Sequence, residues 1–408
     1  MSDNQQFVVI GASQAGGWVA KTLRNEGFEG SVILIGEEPY LPYERPPLSK
    51  GALAGEATLE STYFWAPEEY DDLDIDVRLK TRATKIDREK KQVTLDNGDT
   101  LKFDRLAITT GARVRVLPIE GSNLDGIFYL RTMADTKAIR ATLQEGTKAL
   151  IVGGGWIGLE CASTLKKLNC EVTIIEAAER LCGRAVTPEI SDWMFHFHTN
   201  RGIKIKLNTT LNSFTGESYL SKANLSNGEI INIDMAIIGI GVIPNVQLAE
   251  DAGLKVDNGI VVDTKTQTSD PNIFAAGDVT NHPNEILGRH IRLESWENAQ
   301  NQGIVAGKAL LDLAEPYAEI PWFWSDQFDT NIQMIGLPEN WDSTVTRGEP
   351  KSDEFTTFYL RNNQIIGAIS INAPRDLRFA KRLMQAKKHL SVEDLANTGV
   401  KLQSLLKN

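Results

Sequence analysis

Two stretches of the chain share one pattern, a hydrophobic run that leads into a glycine-rich turn. The first reads FVVIGASQAGG at residues 7–17, and the second reads LIVGGGWIGLE at 150–160. In each, an amphipathic segment and a second β-rich run follow the turn, and then an acidic residue, Glu37 or Glu176. This order predicts a β-α-β unit with a G-x-G-x-x-G-like turn, which is typical of dinucleotide-binding domains. The chain is therefore predicted to be an α/β protein with two such domains.

The residues of the turn have distinct roles. The first glycine permits the sharp turn, the second lets a pyrophosphate approach the backbone, and the third lets the helix pack against the strand. The first N–H groups of the helix then attract the phosphates. The first copy has Ser13 at the second position, which is a mild departure because serine is small. The predicted nucleotide-binding positions are Gly11, Ser13 and Gly16 in the first copy and Gly153, Gly155 and Gly158 in the second.

The acidic residue that ends each unit bears on the choice of nucleotide. A carboxylate there hydrogen-bonds ribose hydroxyls, so Glu176 favours NADH and repels the 2′-phosphate of NADPH. Arg180 and Arg184 follow closely in the sequence, and they would weaken this preference if they lay near the 2′-phosphate. The alternative is that both are solvated surface residues. NADH is the predicted nucleotide of the second unit.

Composition and charge narrow the possible functions. The chain has 408 residues, 41% of them apolar, and 54 acidic against 43 basic residues, for a net charge of −11. Because nucleic-acid binding requires a basic surface, we expect no nucleic-acid partner. Apolar runs such as MAIIGIGVIP are far shorter than the ~20 residues of a membrane span, and MSDNQQ does not resemble a secretory signal, so we expect no membrane association. Three cysteines without a Cys-x-x-Cys pair are typical of a reduced compartment, and we predict a cytoplasmic protein without a metal site.

Further motifs extend the pattern beyond the glycine turns. They read PYERPPLSKG (42–51), LAITTGA (106–112), LRT (130–132), TSDPNIFAAGDVT (268–280), ESWENAQNQG (294–303) and PWFWSDQ (321–327). With both turns, they make the chain resemble the FAD-dependent, NADH-utilising ferredoxin reductases of bacterial aromatic-ring dioxygenases and cytochrome P450 systems. The resemblance implies a glutathione-reductase-like fold of two Rossmann-like dinucleotide-binding domains and an α+β C-terminal domain. It also implies that FAD binds the first domain, that NADH binds the second, and that single electrons pass to a [2Fe–2S] ferredoxin that feeds an oxygenase.

The resemblance assigns roles to individual residues. Lys50 and Glu160 would pair beside the reactive edge of the flavin, with Trp324 packed nearby, and these are the predicted catalytic residues. An ammonium there stabilises the negative charge that arrives with hydride, and pairing lowers the cost of burying either charge. The residues that the resemblance assigns to FAD or NADH, besides the turn positions and Lys50, are Ala15, Glu37, Arg45, Ala83, Thr110, Gly111, Arg131, Ile157, Glu176, Arg184, Gly241, Asp278 and Trp296. From the residues alone, other roles stay open: core packing for both tryptophans, helix capping for Asp278, and surface positions for Lys50 and Glu160.

The positions of the cysteines in the sequence predict how electrons leave the flavin. Disulfide-reducing flavoproteins need a cysteine pair beside the flavin, but residues 1–160 contain no cysteine. Cys161 is expected to be a buried, inert thiol. Two alternatives stay open, an NADH oxidase or peroxidase and a redox-sensing flavoprotein of the apoptosis-inducing-factor type.

A basic segment stands out on this acidic chain. PRDLRFAKRLMQAKKH at 374–389 contains a single acid, Asp376, and predicts a helix. We expect it to steer an acidic ferredoxin toward the flavin, and an ordinary solvated helix face is the alternative. The residues predicted to dock the ferredoxin are Arg375, Arg378, Lys381 and Arg382.

The FAD domain is expected to be discontinuous in sequence. Residues 1–112 and 244–320 would form it, and residues 113–243 would form an NAD domain inserted between them. Residues 321–408 would form the C-terminal domain, in which DEFTTFYL and QIIGAISIN alternate like antiparallel strands.

Overall fold

A computed structural model describes residues 5–285 and 287–407. Its N-terminal segment contains β1 (Gln6–Ile10), α1 (Gln14–Asn25), β2 (Ser31–Ile35), α2 (Gly51–Ala54), α3 (Pro67–Asp72), β3 (Ile75–Arg78), β4 (Ala83–Asp87), β5 (Gln92–Leu95), β6 (Thr100–Lys102), β7 (Arg105–Ile108) and β8 (Ala112–Val114). Strands β1, β2, β3 and β7 run parallel, and residues 7–10 of β1 are all buried. This continuous apolar run is typical of a parallel strand that is covered on both faces.

The middle segment repeats this design and forms the second domain. It contains β9 (Ile127–Phe128), α4 (Met133–Thr142), β10 (Lys148–Val152), α5 (Trp156–Lys167), β11 (Glu171–Ile175), α6 (Pro188–Thr199), β12 (Lys204–Lys206), β13 (Leu211–Gly216), β14 (Leu220–Leu225), β15 (Ile230–Asn232) and β16 (Met235–Ile238). A parallel sheet has the strand order β12-β11-β10-β16-β9, and β13, β14 and β15 form a separate antiparallel sheet. The glycine turn that follows β10 therefore lies at the carboxyl edge of a central strand, where open α/β sheets bind ligands.

The chain then returns to the first domain. The returning segment contains β17 (Val242–Pro244), α7 (Gln247–Asp251), β18 (Ile260–Val261), β19 (Ile273–Ala275), β20 (Thr280–Asn284), β21 (Arg289–Ile291) and α8 (Trp296–Ala309). Strand β17 pairs with β8 where the chain passes between the domains, and β19 completes the first sheet in the order β19-β7-β1-β2-β3. Helix α8 packs closely on α1, because a Cβ on Gly303 would lie only 2.6 Å from the carbonyl oxygen of Ala15.

The C-terminal domain is an antiparallel sheet with helices on one face. It contains β22 (Trp322–Gln327), β23 (Thr330–Gly336), β24 (Ser343–Glu349), β25 (Glu354–Arg361), β26 (Gln364–Ile371), α9 (Pro374–Gln385) and α10 (Val392–Ala396). The strand order is β22-β23-β26-β25-β24. One face packs on α9, and the other joins the core of the second domain through residues such as Ile332 and Phe355. Edge strand β22 thereby lies against α5.

The domain limits given in the sequence analysis stay a prediction. Among the described residues, no helix is both long and apolar enough to cross a membrane.

Candidate active site

The first glycine turn is closed by backbone contacts that leave no room for side chains. Gly11 has a φ of +114°, and a Cβ there would lie 2.3 Å from the carbonyl oxygen of Thr109. A Cβ on Gly16 would lie 1.8 Å from the carbonyl oxygen of Gly11. Ser13 is the N-cap of α1, and its side chain makes no capping hydrogen bond. The free N–H groups of the first helical turn therefore remain for an anion, as the motif predicts.

Buried polar atoms without protein partners surround this turn. Among the described residues, Gln14 Oε1, Gln302 Nε2 and Arg131 Nε are buried and have no hydrogen-bond partner. Gln14 Nε2 donates to the carbonyl oxygen of Trp296 (3.5 Å), and Gln302 Oε1 accepts from Gly277 N (2.9 Å). Because buried polar groups in proteins are almost always hydrogen-bonded, these atoms indicate a polar ligand. Donors, an acceptor and a cation beside a glycine turn fit FAD.

An ion pair between Arg131 and Asp278 lies beside the same turn. Arg131 Nη2 is 3.0 Å from Asp278 Oδ2. Asp278 follows Gly277, which packs on α1 so closely that a Cβ there would lie 3.1 Å from Ala15 Cβ. A Cβ on Gly111 would lie 3.6 Å from Arg131 Nη2. The structure thus brings Ala15, Gly111, Arg131 and Asp278 together around one space.

Arg45 holds the backbone of Arg131 in place. Its Nη1 donates to the carbonyl oxygen of Arg131 (2.5 Å) and to Tyr43 Oη (2.9 Å), and its Nη2 donates to Glu38 Oε1 (2.7 Å). Tyr43 Oη donates in turn to Glu38 Oε2 (2.5 Å), and burial raises the pKa of Tyr43, so it stays a phenol. Arg45 therefore positions Arg131 through the backbone.

The predicted adenine end of the site is more open. Glu37 follows β2, and its side chain is 73% exposed, with Arg82 Nη1 3.9 Å from Oε1. Ala83 comes directly after Arg82 and begins β4. Glu37 and Ala83 therefore lie at the same end of the first domain, where solvent reaches both.

Thr110 and Gly241 lie where the chain crosses between the domains. Thr110 Oγ1 donates to the carbonyl oxygen of Asn245 (2.8 Å), and Asn245 Nδ2 donates to the carbonyl oxygen of Thr110 (2.8 Å). Gly241 has a φ of +100°, and a Cβ there would meet no atom within 4 Å. The crossing is thus held by two reciprocal hydrogen bonds from side chains to backbone carbonyls, and it leaves open space at Gly241.

The second glycine turn combines two crowded positions with one open position. A Cβ on Gly153 would lie 2.5 Å from the carbonyl oxygen of Gly239, and one on Gly158 would lie 2.1 Å from that of Gly153. A Cβ on Gly155, the N-cap of α5, would meet no atom within 4 Å. Ile157 follows at the start of α5 and is 47% exposed. The open position is the one at which the motif lets a pyrophosphate approach.

Glu176 is held in place at this turn. Its Oε2 accepts from Gly154 N (2.6 Å), and its Oε1 accepts from Ala178 N (2.8 Å). Arg180 donates to two carbonyl oxygens of its own loop, whereas Arg184 is exposed. A fixed carboxylate beside an open helix N-terminus fits the ribose and pyrophosphate of NAD.

An ion pair with a buried carboxylate lies at the start of α5, just after the second glycine turn. Lys50 Nζ is 3.3 Å from Glu160 Oε1 and 3.6 Å from Asp326 Oδ2. The Glu160 side chain is 3% exposed, and it accepts hydrogen bonds from Ser49 Oγ (2.5 Å) and Ser325 Oγ (2.6 Å). Burial raises the pKa of Glu160, whereas Lys50 and both hydroxyls favour the carboxylate. The structure brings Lys50 and Glu160 together as the resemblance implies.

Trp324 lies beside this pair. Lys50 Nζ is 5.4 Å from its ring centroid, and Trp324 Nε1 donates to Asp326 Oδ2 (3.2 Å). Trp322 stacks on Trp324 with ring centroids 4.9 Å apart, and Trp296 meets Trp324 edge-on at 5.8 Å. The two tryptophans assigned to the site therefore touch, although they come from different domains.

Comparison with known proteins places this arrangement in a family. Residues 5–303 match the family described as pyridine nucleotide-disulphide oxidoreductase, and residues 322–406 match the family described as reductase C-terminal. The chain belongs to the pyridine nucleotide-disulphide oxidoreductase family. The predicted fold class and the predicted enzyme class, an oxidoreductase, are thereby confirmed.

Relatives of this oxidoreductase match it over nearly their whole length. The anthranilate 1,2-dioxygenase system ferredoxin–NAD(+) reductase component of Burkholderia cepacia is 40% identical, with 98% of this chain and 99% of the relative covered. Putidaredoxin reductase of Pseudomonas putida is 36% identical, with coverage of 100% and 98%. The crystal structure of the covalent putidaredoxin reductase–putidaredoxin complex matches with a TM-score of 0.96 at 35% identity, covering 100% of this chain and 99% of the other. The resemblance predicted from the motifs is confirmed.

The disulphide in the family description has no counterpart near the first turn of this oxidoreductase. Residues 1–160 contain no cysteine, and all three cysteines of the chain are buried free thiols, Cys161, Cys170 and Cys182. Burial raises the pKa of each thiol, so each remains protonated and unreactive. Cys161 is the buried, inert thiol expected from the sequence.

The basic helix α9 has a paired part and an exposed part. Lys381 Nζ is 3.4 Å from Glu297 Oε1 and 3.7 Å from Glu319 Oε2, so it joins α9 to the beginning of α8. Lys381 therefore differs from the other predicted docking residues, because its charge is neutralised within the chain. The exposed ones are Arg375, Arg378 and Arg382.

Sequence reasoning missed Ser49 and Ser325, which donate to Glu160, and Asp326, which pairs with Lys50. Ser49 directly precedes Lys50, and Ser325 and Asp326 lie within the WFWSDQ motif, so adjacency was an available signal for all three. His198 is joined to Glu160 only through the side chains of Gln327 and Ser325, and no sequence pattern indicates that connection.

Proposed function

We propose that this oxidoreductase takes hydride from NADH onto bound FAD and passes single electrons to a [2Fe–2S] ferredoxin that feeds an aromatic-ring dioxygenase or a P450. The observation that carries the proposal is the Lys50–Glu160 pair, whose buried carboxylate lies on the helix that follows the second dinucleotide-binding turn, in a chain with two such turns and no cysteine among its first 160 residues. The names of the relatives describe ferredoxin–NAD(+) reductases and a putidaredoxin reductase. A cytoplasmic location and the domain limits given above belong to the same proposal.

The side chains of this protein bind and orient both nucleotides. FAD, when bound, accepts hydride from NADH and releases the two electrons one at a time. The N-termini of α1 and α5 hold the pyrophosphates, and Arg131 and Asp278 supply a cation and an acceptor beside the first turn. Glu176 accepts hydrogen bonds from the ribose of NADH, which excludes a 2′-phosphate.

The Lys50–Glu160 pair acts at the reacting edge. The Lys50 ammonium favours the transition state because negative charge increases beside it as hydride arrives. Glu160 and Asp326 hold that ammonium in place, and Trp324 covers it. Because the three thiols are buried and protonated, none of them would relay electrons from a bound flavin.

An acidic ferredoxin docks on the exposed arginines of α9. Arg375, Arg378 and Arg382 form a local basic face on a chain with a net charge of −11. Such a face raises the association rate of an acidic partner, and salt weakens the effect. Lys381 holds the face to α8 through Glu297 and is not part of the docking set.

The proposal is tested with the purified holoprotein under anaerobic conditions. NADH is expected to bleach the flavin absorbance, and a [2Fe–2S] ferredoxin mixed in next is expected to be reduced. Arg382→Glu should slow ferredoxin reduction about tenfold at low salt while NADH-dependent dye reduction stays normal. Lys222→Glu, an exposed change on β14 of the second domain, is the matched control. Equal ferredoxin rates for the two variants would reject the docking face.

The same preparation separates the alternative functions. An NADH oxidase or peroxidase would pass its electrons to oxygen or peroxide faster than to any ferredoxin. A redox-sensing flavoprotein would stay reduced after hydride transfer from NADH and would not turn over with ferredoxin. Rapid ferredoxin turnover with slow reoxidation by oxygen supports the reductase over both.

A further inference from the structure

Glu160 is the first member of a buried hydrogen-bonded chain that crosses between two domains. Ser325 Oγ donates to Glu160 Oε1 (2.6 Å), Gln327 Nε2 donates to Ser325 Oγ (3.0 Å), and Gln327 Oε1 lies 2.8 Å from His198 Nε2. All four side chains are buried. Glu160 and His198 belong to α5 and α6 of the second domain, whereas Ser325 and Gln327 belong to β22. Ser325 and Gln327 are two positions apart on a strand, so both face the second domain.

The direction of each hydrogen bond follows from the next one. Because Ser325 Oγ receives an N–H from Gln327, its own proton points to Glu160. The Gln327 amide then presents its oxygen to His198, so His198 carries its proton on Nε2. Burial lowers the pKa of His198 to about 4, with nearby Arg201 acting in the same direction. The ring therefore stays neutral at neutral pH, and Nε2 stays a donor.

The chain counters the cost of burying the Glu160 charge. Burial by itself favours the protonated acid, and each donated hydrogen bond favours the carboxylate. Ser49 donates to Oε2, whereas Ser325 and Lys50 share Oε1. If the Ser325 hydroxyl were removed, Lys50 would be the remaining partner of Glu160 Oε1. The other titratable groups around this position are Asp326, which faces Lys50, and the buried thiols Cys161 and Cys182.

We propose that Ser325, Gln327 and His198 are positioning residues that hold the Glu160 carboxylate in the orientation in which it pairs with Lys50. The inference rests on the proposed function, because the pair is placed there at the reacting edge of the flavin. While the chain is intact, the pair is neutral overall. When Glu160 takes up a proton, Lys50 keeps only Asp326 as a counter-charge, and its less compensated ammonium favours the electron-rich, reduced flavin more strongly.

Ser325→Ala tests the chain at its central link. It should raise the acidic pH at which flavin reduction by NADH falls to half its full rate, because a protonated Glu160 no longer holds Lys50 in position. The expected rise is about one to two pH units, the shift that one lost charge-assisted hydrogen bond produces. The flavin midpoint potential at neutral pH should rise with it. Ser325→Thr keeps the hydroxyl and should restore both properties. In a Glu160→Gln background, Ser325→Ala should cause no further shift.

The matched control is Ser163→Ala. Ser163 is a buried serine on the same helix as Glu160, and its hydroxyl donates only to the Leu159 carbonyl oxygen (2.8 Å). It should leave the pH profile and the midpoint potential unchanged. Gln327→Met breaks the same chain without altering Ser325, so it gives a second reading if Ser325→Ala does not fold.

The far end of the chain has a readout that does not depend on catalysis. Nitrogen NMR of the five histidines should show two rings that do not titrate between about pH 5 and 8, because burial lowers the pKa of both His198 and His282 to about 4. His198→Gln should remove one of these two signals, that of a ring with its proton on Nε2. If His198 titrates normally, or Ser325→Ala matches Ser163→Ala while NADH still reduces the flavin, the inference is overturned and the proposed function stands. A wild-type protein that NADH does not reduce would overturn the proposed function instead.

Discussion

Alanine at Gly155 separates nucleotide binding from folding in the second turn. Gly155 has a φ of −85° and a ψ of −179°, which alanine adopts without strain. Its Cβ would meet no protein atom within 4 Å, so the added methyl group meets only a bound pyrophosphate. We expect Gly155→Ala to fold normally, and to gain up to about 1 kcal/mol because the unfolded chain loses freedom.

The neighbouring glycine has the opposite expected result. A Cβ on Gly158 would lie 2.1 Å from the carbonyl oxygen of Gly153 and 3.2 Å from Ile151 Cγ2. One obstacle is backbone and the other is the fully buried side chain of Ile151, so neither can move aside easily, and overpacking of this kind costs about 1–3 kcal/mol or more. Gly158→Ala should therefore lower the midpoint of thermal unfolding, whereas Gly155→Ala should not.

The assay compares NADH affinity, flavin content and thermal unfolding in both variants. Gly155→Ala should raise the dissociation constant for NADH at least tenfold, or about 1.4 kcal/mol, because the pyrophosphate can no longer reach the backbone N–H groups. Its flavin content should equal that of the wild type, since FAD is placed at the other turn. Unchanged NADH affinity in stable, fully flavinylated Gly155→Ala would refute the assignment of NADH to this turn.

Three further changes test other parts of the site. Glu160→Gln should slow flavin reduction by NADH and lower the free energy of unfolding by about 1–3 kcal/mol, because Lys50 loses its nearest carboxylate; stopped-flow absorbance and chemical denaturation measure the two effects. Glu176→Ser should lower the preference for NADH over NADPH at least tenfold in kcat/KM, since the repulsion of the 2′-phosphate is gone. Lys381→Ala should lower the thermal midpoint more than it changes the KM for ferredoxin, because Lys381 is paired with Glu297; a selective rise in KM would contradict its structural role.

The parts of the fold that were predictable from the sequence are those governed by local backbone geometry. The glycine turns after β1 and β10 have no room for a side chain at Gly11 and Gly158. Such positions can be recognised in the sequence from the spacing of the glycines. The two β-α-β units follow from periodicity on either side of each turn. The contact between Lys50 and Glu160 was implied only by the resemblance, because 110 residues of sequence separate them.

The remaining features depend on tertiary contacts that no local pattern encodes. The basic segment at 374–389 reads as uniform, yet Lys381 points at Glu297 and Glu319 while Arg378 and Arg382 stay exposed. Which side of a helix is covered depends on where α8 packs. In the same way, His198 is joined to Glu160 only because β22 lies between α5 and α6. Composition and spacing therefore do not predict this hydrogen-bonded connection.

In the proposed reaction, electrons pass from NADH through the flavin to the ferredoxin without a thiol. Replacing all three cysteines by alanine and following ferredoxin reduction in an anaerobic stopped-flow experiment tests it most directly. We predict that the variant binds FAD, is bleached by NADH and reduces the ferredoxin at the wild-type rate, because every thiol is buried and protonated. Normal bleaching by NADH followed by a loss of ferredoxin reduction in the cysteine-free protein would contradict the account.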